Sequence, residues 1–401
     1  MTDTAPSPAT IRLGRENAFD PPADHLRWED GDRVRPLRYA DGHVGWLVTG
    51  YAAARTVLAD PRFSGDPTLL HPPADERGIE EILADIPGLL TIAQPPGHAR
   101  FRRRLAGPLT LRRMRRLEPR IRQITTERLD ALQRLGPPAD IVREFAVPVP
   151  ALVLCELLGV PYHDHSRFER CATVLLGLDS TPDQVREAMR DLLDYTRDLV
   201  IRRRDDPADD IVSVLAGGGE RDRLTVEEAA AIAMFLLVAG HETTADMLAL
   251  GTFALLRHPD QLAALRADLS LAAGATEELL RYLSVVRIGP VRAACADVEL
   301  DGRLIRAGQS VTLSLAAANR DPARFPAPGA LDIRRDAGGQ LSFGYGPHQC
   351  LGQQLARLEM TVALPALLTR LPHLRLAVAA DEVPVRSGTA FHGLERLPLT
   401  W

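Results

Sequence analysis

The spacing of apolar residues changes period several times along the chain. Val44, Trp46 and Val48 alternate as in a strand, and a helical pattern follows from Tyr51 to Asp60, so a β element precedes the helical bulk. From about residue 98 to 204 the period is mostly helical. Prolines at 108, 119, 148, 150, 161 and 182 are expected to break that stretch into separate helices. Thr225 and Glu228 have the spacing of a capping box and open an apolar stretch that runs to about Arg257, where His258-Pro259 stops it. Such a helix is about 48 Å long at 1.5 Å per residue. A membrane span is disfavoured, because the uninterrupted apolar part, Ala229 to Gly240, is short and ends in His241-Glu242-Thr243-Thr244. A buried core helix with a polar interruption fits better. Between 285 and 315 the pattern turns to β, with Asp301-Gly302 as a hairpin turn and Val311, Leu313 and Leu315 alternating. Leu351 to about Leu368 is helical again, and no repeat or low-complexity tract interrupts the sequence.

The 401 residues contain no obvious linker, so residues 11–401 are expected to form one domain behind a flexible tail of residues 1–10. That tail, MTDTAPSPAT, has neither a basic cluster nor an apolar run, which disfavours a secretory signal or anchor and points to a cytoplasmic protein. Apolar residues make up 45% and charged residues 25%, an ordinary globular balance. The four cysteines, at 155, 171, 295 and 350, form no Cys-x-x-Cys pair, which argues against a disulfide framework or structural zinc. Net charge is −5, and the chain has arginine but no lysine. Arg100, Arg102, Arg103 and Arg104, followed by Arg112, Arg113, Arg115 and Arg116, are either a solvated helix face or a surface for an acidic protein partner. The overall negative charge disfavours nucleic acid.

One cysteine stands in a distinctive loop, Phe343-Gly-Tyr-Gly-Pro-His-Gln-Cys-Leu-Gly352. Gly344 and Gly346 allow positive φ and a close approach of backbone to a flat ligand, and Gly352 removes a side chain at the start of the next helix. If that helix begins at Cys350, its free N–H groups and dipole favour the thiolate that a metal requires. The competing reading is a buried structural cysteine beside a glycine-rich turn. The segment Phe343-Gly344-x-Gly346-x-His348-x-Cys350-Leu351-Gly352 resembles the haem-binding signature of the cytochrome P450 family. The resemblance covers roughly residue 90 to Trp401. It implies a mainly α fold, with a large helical lobe, a smaller β-rich lobe and buried haem b, whose iron takes Cys350 as its thiolate ligand.

Three further constellations fall into place with that resemblance. Ala239-Gly240-His241-Glu242-Thr243-Thr244 puts polar groups in mid-helix, where Thr243 can bond back to the carbonyl of Ala239. These groups could simply satisfy one another. The resemblance makes Glu242 and Thr243 the family's catalytic acid–alcohol pair, places Ala239 against the haem, and implies proton delivery through Thr243 and ordered water. Glutamate replaces the commoner aspartate, which leaves details of the relay open. Glu278 and Arg281, at i and i+3, would usually be a surface pair, but they match the family's buried Glu-x-x-Arg motif, with Arg335 expected as a third member. His98, Arg102, Arg292 and His348 are each unremarkable singly, and as a set resemble the family's clamp for the haem propionates. Asn319-Arg320-Asp321-Pro322 is familiar from bacterial members and receives no catalytic role.

The resemblance implies insertion of one oxygen atom from dioxygen into a C–H bond, or epoxidation of an alkene. Electrons would come from NAD(P)H through a separate ferredoxin and ferredoxin reductase, with no membrane and no nucleic acid involved. The pocket is expected to be walled by residues around Phe63 to Gln94, Val160 to Tyr195, Ala239, Thr243, Ile288 to Val291 and Phe391, mostly apolar or small, as for a bulky apolar small molecule. The run Gly352-Gln-Gln-Leu-Ala-Arg-Leu-Glu359 is similar to an actinobacterial branch that oxidises macrolides and other polyketides in antibiotic biosynthesis. The alternatives are a peroxide-using peroxygenase, against which the retained Glu242 and Thr243 argue, and a non-catalytic haem sensor or binding protein, which would usually carry an output domain.

Overall fold

A single helix through the interior organises the molecule. The computed structural model describes residues 9–11, 13–27, 32–71, 97–218, 223–287 and 289–401. In chain order its strands and helices are β1 (Ala9–Thr10), β2 (Val34–Arg38), β3 (Val44–Val48), α1 (Tyr51–Ala59), β4 (Phe63–Ser64), α2 (Gly97–Ala106), α3 (Leu111–Leu135), β5 (Ala139–Asp140), α4 (Pro148–Leu158), α5 (His165–Leu176), α6 (Pro182–Asp205), α7 (Ile211–Ala216), α8 (Val226–Arg257), α9 (Pro259–Ala267), α10 (Ala272–Leu283), β6 (Val291–Ala294), β7 (Val298–Leu300), β8 (Arg303–Ile305), β9 (Ser310–Leu313), α11 (Leu315–Ala318), α12 (Gln353–Arg370), β10 (Arg375–Leu376) and β11 (Pro398–Thr400).

The central helix is α8, and its ends are those read from the sequence. Thr225 Oγ1 accepts the Glu228 N–H at 3.0 Å while the Glu228 carboxylate accepts the Thr225 N–H at 2.9 Å. This reciprocal cap satisfies two donors that the first turn would otherwise leave orphaned. By length and composition α8 could cross a membrane. Most of it is instead buried against α4, α6, α10 and α12. One apolar core, with Leu105, Phe168, Leu199 and Leu237, lies toward the α2–α7 side. A second, with Phe145, Leu250, Leu279 and Leu364, lies toward α10 and α12.

The smaller lobe is a six-stranded sheet in the order β1-β2-β3-β9-β6-β4, with β9 parallel to β3 and antiparallel to β6. All four residues of β9 are buried, so it is covered on both faces. Leu315 lies outside the expected alternation: Ser314 Oγ accepts the Ala317 N–H and opens α11 there. The Asp301-Gly302 turn joins β7 to β8, both residues having positive φ (50° and 73°), as a tight hairpin requires. Three other expectations are corrected. Pro119 lies inside α3 rather than ending it, because Met114, Ile121 and Ile124 bury one continuous face across it. Of the expected tail, Ala9–Thr10 pair with Leu37 and Arg38 as β1, and residues 1–8 lie outside the described residues. The helix after the cysteine loop starts at Gln353, not at Cys350.

Glu278 and Arg281 are wholly buried and joined twice, at 2.7 and 2.8 Å. Arg335 Nε reaches Glu278 Oε1 at 3.2 Å, the third member that the sequence suggests. Arg281 donates further to the carbonyls of Asn319 (3.0 Å), Pro328 (2.9 Å) and Ala330 (3.2 Å). Asn319 passes this order on: its side chain accepts the Leu341 N–H at 2.7 Å and donates to Ser342 Oγ at 2.9 Å, immediately before the cysteine loop. The Asn319-Arg320-Asp321-Pro322 stretch thus has a structural task. Arg320 donates to the Tyr282 carbonyl, and Asp321 accepts the Tyr51 N–H.

Removing one partner of a buried pair leaves an uncompensated charge. Glu278→Ala is expected to cost about 3–5 kcal/mol of stability, read by chemical denaturation. Glu118→Ala, which breaks the exposed Arg122–Glu118 pair, is expected to cost under about 1 kcal/mol. A second prediction concerns His25 and His392, which burial pushes down to about 4 and about 3. Both are neutral in the fold, and the unfolded chain takes up protons first, so their contribution is complete above about pH 6.5 and is lost as pH falls. Thermal unfolding followed from pH 7 to 5 is expected to show a falling midpoint. His392→Gln, which can still donate to the Ala18 carbonyl that His392 Nε2 contacts at 2.8 Å, is expected to make that fall shallower.

Candidate active site

The cysteine loop is built by two tight reversals. Gly344 (φ 69°) donates its N–H to the Leu341 carbonyl, and the Cys350 N–H bonds back to the Phe343 carbonyl at 2.9 Å. Gly346 (φ 75°) passes so near α1 that a Cβ there would stand 2.6 Å from the Leu58 carbonyl oxygen. Only glycine meets both demands. The loop delivers Cys350 to the start of α12, where the N–H groups of Gly352 and Gln353 point at the sulfur. The sulfur lies deep in the protein, yet it is accessible from an internal cavity. Burial raises the thiol pKa. The Gly352 N–H, Arg102, Arg357 and the Gln353 N–H all pull the other way. A helix start three residues beyond the cysteine therefore still supplies the N–H groups expected of it.

That cavity has a volume of ≈ 480 Å³ and is bounded by α8 on one side and the cysteine loop on the other. Every cofactor residue read from the sequence lines it: His98, Arg102, Ala239, Arg292, Phe343, Gly344, His348, Cys350 and Gly352. His98 and Arg102 share one face of α2. The His98 ring stacks on His348 at 4.0 Å, and Arg102 Nη1 donates to the Gln349 carbonyl at 2.8 Å. Arg292 is buried on β6 and, among the described residues, donates only to the Val291 carbonyl. Among the described residues none of these four basic groups has an acidic partner. Burial presses all four toward the uncharged form, His348 down to about 4, and mutual repulsion adds to the effect on both histidines. Two arginines and two imidazoles gathered in one cavity without an acid leave positive charge uncompensated. Together with one thiol facing the cavity, they are the donor set that a thiolate-ligated haem with two propionates needs.

Opposite the cysteine, Thr243 lines the cavity and its hydroxyl donates to the Ala239 carbonyl at 3.1 Å, with α8 continuous through this turn. Glu242 is different. It does not line the cavity, and its carboxylate pairs with Arg386 at 2.8 Å. Burial raises the Glu242 carboxyl pKa and Arg386 opposes the rise.

The expected pocket walls are met in part. Ala239, Thr243, Gly289, Pro290 and Phe391 line the cavity. Ile288 and residues 72–94 lie outside the described residues. Phe63 to His71, Val160 to Tyr195 and Val291 do not line it; Leu154, Leu157 and Leu158 of α4 do, with Leu236, Val285 and Val286. Sequence reading also missed Arg386 and Asp246, which share a contact at 2.7 Å. Asp246 stands one helical turn after Glu242 and could have been singled out on that spacing, whereas nothing near Arg386 signals its target.

Comparisons with known proteins agree with this geometry. Residues 139–377 match the family described as Cytochrome P450. Cytochrome P450 105C1 of a Streptomyces species is 48% identical over 398 residues, covering 99% of this chain and all of that protein. The vitamin D3 dihydroxylase of Streptomyces griseolus is 42% identical, with both chains fully covered. Among solved structures, the mycinamicin VIII C21 methyl hydroxylase of Micromonospora griseorubida, bound to mycinamicin VIII, superposes with a TM-score of 0.91 at 35% identity, covering 98% of this chain and all of that one. With its thiol, its unpaired cations and its long helix arranged as they are, the chain belongs to the cytochrome P450 family, whose cofactor is a thiolate-ligated haem.

Proposed function

We propose that this protein is a monooxygenase that inserts one atom of dioxygen into a C–H bond of a bulky apolar small molecule, with a macrolide or other polyketide as its substrate class. The observation that carries the proposal is the placing of the Cys350 sulfur and the Thr243 hydroxyl on one apolar cavity. Bound haem supplies the activation of dioxygen, for which an electron-rich sulfur ligand is suited. The protein's part is positioning, proton supply and exclusion of water. Cys350 provides the ligand, and the N–H groups of Gly352 and Gln353 temper its charge. His98, Arg102, Arg292 and His348 would hold the propionates, whose negative charge would offset the repulsion among them. Thr243 commits its proton to Ala239, which leaves its oxygen free to accept from a water in the cavity. Glu242, adjacent on α8 and held off the cavity wall by Arg386, would recharge that water on turning from Arg386 toward it.

Substrate contact falls to Leu154, Leu157, Leu236, Val285, Val286 and Phe391, none of which offers a side-chain hydrogen bond. Such walls reward apolar area and shape. Electrons come from NAD(P)H through a ferredoxin and its reductase, in the cytoplasm. The arginine-rich face divides into two groups. Arg100 pairs with Glu228, Arg113 pairs with Asp209, and Arg104 donates to the Val214 carbonyl. Arg103, Arg112, Arg115 and Arg116 are exposed and make no ion pair among the described residues. They form the surface proposed for the acidic ferredoxin. Arg102, on the same helix, touches the cysteine loop through Gln349.

The substrate class is tested by optical titration of the haem-loaded protein. Mycinamicin-type macrolides are expected to displace water from the iron and give a saturable shift from low to high spin. A panel of macrolides and other polyketides that produces no shift, beside a steroid such as vitamin D3 that does, contradicts the polyketide assignment. Reversing charge in Arg112→Glu/Arg115→Glu is expected to raise the KM for ferredoxin about tenfold at low salt while leaving substrate affinity unchanged, with the difference shrinking as salt rises.

A further inference from the structure

Asp246 and Arg386 have no part in the reaction as described so far, yet they sit directly behind its acid. One nitrogen, Arg386 Nη2, contacts Glu242 Oε1 at 2.8 Å and Asp246 Oδ2 at 2.7 Å. The two carboxylates are four residues apart on one face of α8, and both are largely buried, with side-chain exposures of 13% and 5%. Asp246 is also enclosed from the far side: a Cβ on Gly393 would stand 2.0 Å from its Oδ1. Arg386 is a quarter exposed and so reaches the surface.

The charge balance of this cluster is uneven. Arg287, the other nearby cation, spends its guanidinium on the carbonyls of Phe391 and Arg386. His241, beside Glu242, faces Glu169 at 3.7 Å and His165 from α5, and burial pushes it down to about 4. His392, on the same segment as Arg386, is likewise neutral. Two carboxylates therefore share one guanidinium that contacts them both. Two buried carboxylates that share one guanidinium titrate as a coupled pair, and burial favours keeping a proton on one of them.

We infer that Glu242, Asp246 and Arg386 act as one unit that holds a single exchangeable proton, with Asp246 and Arg386 as positioning residues for Glu242. The inference rests on the monooxygenase reading above. Arg386 neutralises one carboxylate and orients it, and Asp246 keeps the proton. Burial raises the Asp246 carboxyl well above the ordinary range, with Arg386 opposing the rise and the Glu242 charge adding to it. The one proton passes from Asp246 to Glu242, Glu242 delivers it to the Thr243 side and returns to the carboxylate, and a proton from solvent at Arg386 restores the one on Asp246. The segment that carries Arg386 is also tied to the substrate side. Arg386 N–H donates to the Gly393 carbonyl, Leu178 N–H to Gly388 and Ala390 N–H to Leu176, and Phe391 lies in the cavity wall. The bond from Arg386 to the acid thus depends on the same strand of chain that lines the pocket.

The test compares wild type, Asp246→Asn, Arg386→Gln and Arg386→Lys, all haem-loaded. Infrared spectra at neutral pH are expected to show a protonated-carboxyl band that Asp246→Asn removes. Glu359, buried and pushed up to about 8, contributes a second band that persists in every variant. Arg386→Gln is expected to strengthen the carboxyl absorption, because Glu242 then keeps a proton too, and Arg386→Lys to restore the wild-type spectrum. With ferredoxin, reductase and NAD(P)H, Asp246→Asn and Arg386→Gln are expected to lower product per electron pair at least about threefold, with hydrogen peroxide taking up the difference and the solvent deuterium isotope effect rising. Arg386→Lys is expected to recover most of the coupling. A spectrum unchanged by Asp246→Asn, or wild-type coupling in both Asp246→Asn and Arg386→Gln, overturns the inference. The infrared measurement needs no turnover, so it stays decisive in a protein that oxidises nothing, which is the result that would sink the monooxygenase reading instead.

Discussion

A guanidinium with no exposure to water must find an acceptor in every direction its N–H groups point, and the buried Arg281 sets this constraint at the centre of the molecule. Glu278 takes two of its donors, and backbone carbonyls from Asn319 to Ala330 take the rest. Satisfying Arg281 therefore fixes a length of irregular chain that has no ladder of its own to hold it. Asn319, held in this way, fixes Leu341 and Ser342, and the next residue begins the cysteine loop. A buried ion pair is weak evidence for stability in general. Here it does something more particular, by fixing the path of the backbone that presents a sulfur to a cavity.

The two walls of that cavity are held by different means. On the cysteine side, rigidity comes from backbone bonds and from glycines in conformations or clearances that other residues cannot meet, at Gly344 and Gly346. On the α8 side it comes from a long helix capped at Thr225 and packed along most of its length. The polar interruption of this helix falls in one turn, where Glu242 and Thr243 follow Ala239. The Thr243–Ala239 bond spends a polar group that would otherwise be buried and unpaired. Two arginines and two histidines without acidic partners among the described residues line the same space, and an anionic ligand would offset that uncompensated charge. The cavity thus offers what a thiolate-ligated haem would need: a sulfur on one wall and basic groups within reach of its propionates.

Much of this was legible in the sequence wherever the deciding residues lie close together. Thr225 and Glu228, Asp301 and Gly302, His98 and Arg102, Glu278 and Arg281, and the loop ending in Cys350 are all local patterns, and each takes the geometry its spacing demands. Features decided by residues far apart were not legible. Arg386 and Asp246 are 140 positions apart, and no composition or period links them. The residues of α4 that reach the cavity, Leu154, Leu157 and Leu158, look like any other core leucines. Pro119 was read as a break because its missing N–H was weighed without the packed face of α3 on either side of it. Leu315 continued an alternation on paper that Ser314 ends by capping a helix.

The central claim is that Cys350 binds the haem iron as a thiolate. The most direct test is the absorption spectrum of the reduced, carbon monoxide-bound protein. Wild-type protein is expected to show the strongly red-shifted Soret band that marks a thiolate-ligated haem iron, and Cys350→His to lose it. A wild-type protein that binds haem without that band, or a Cys350→His variant that keeps it, would contradict the account.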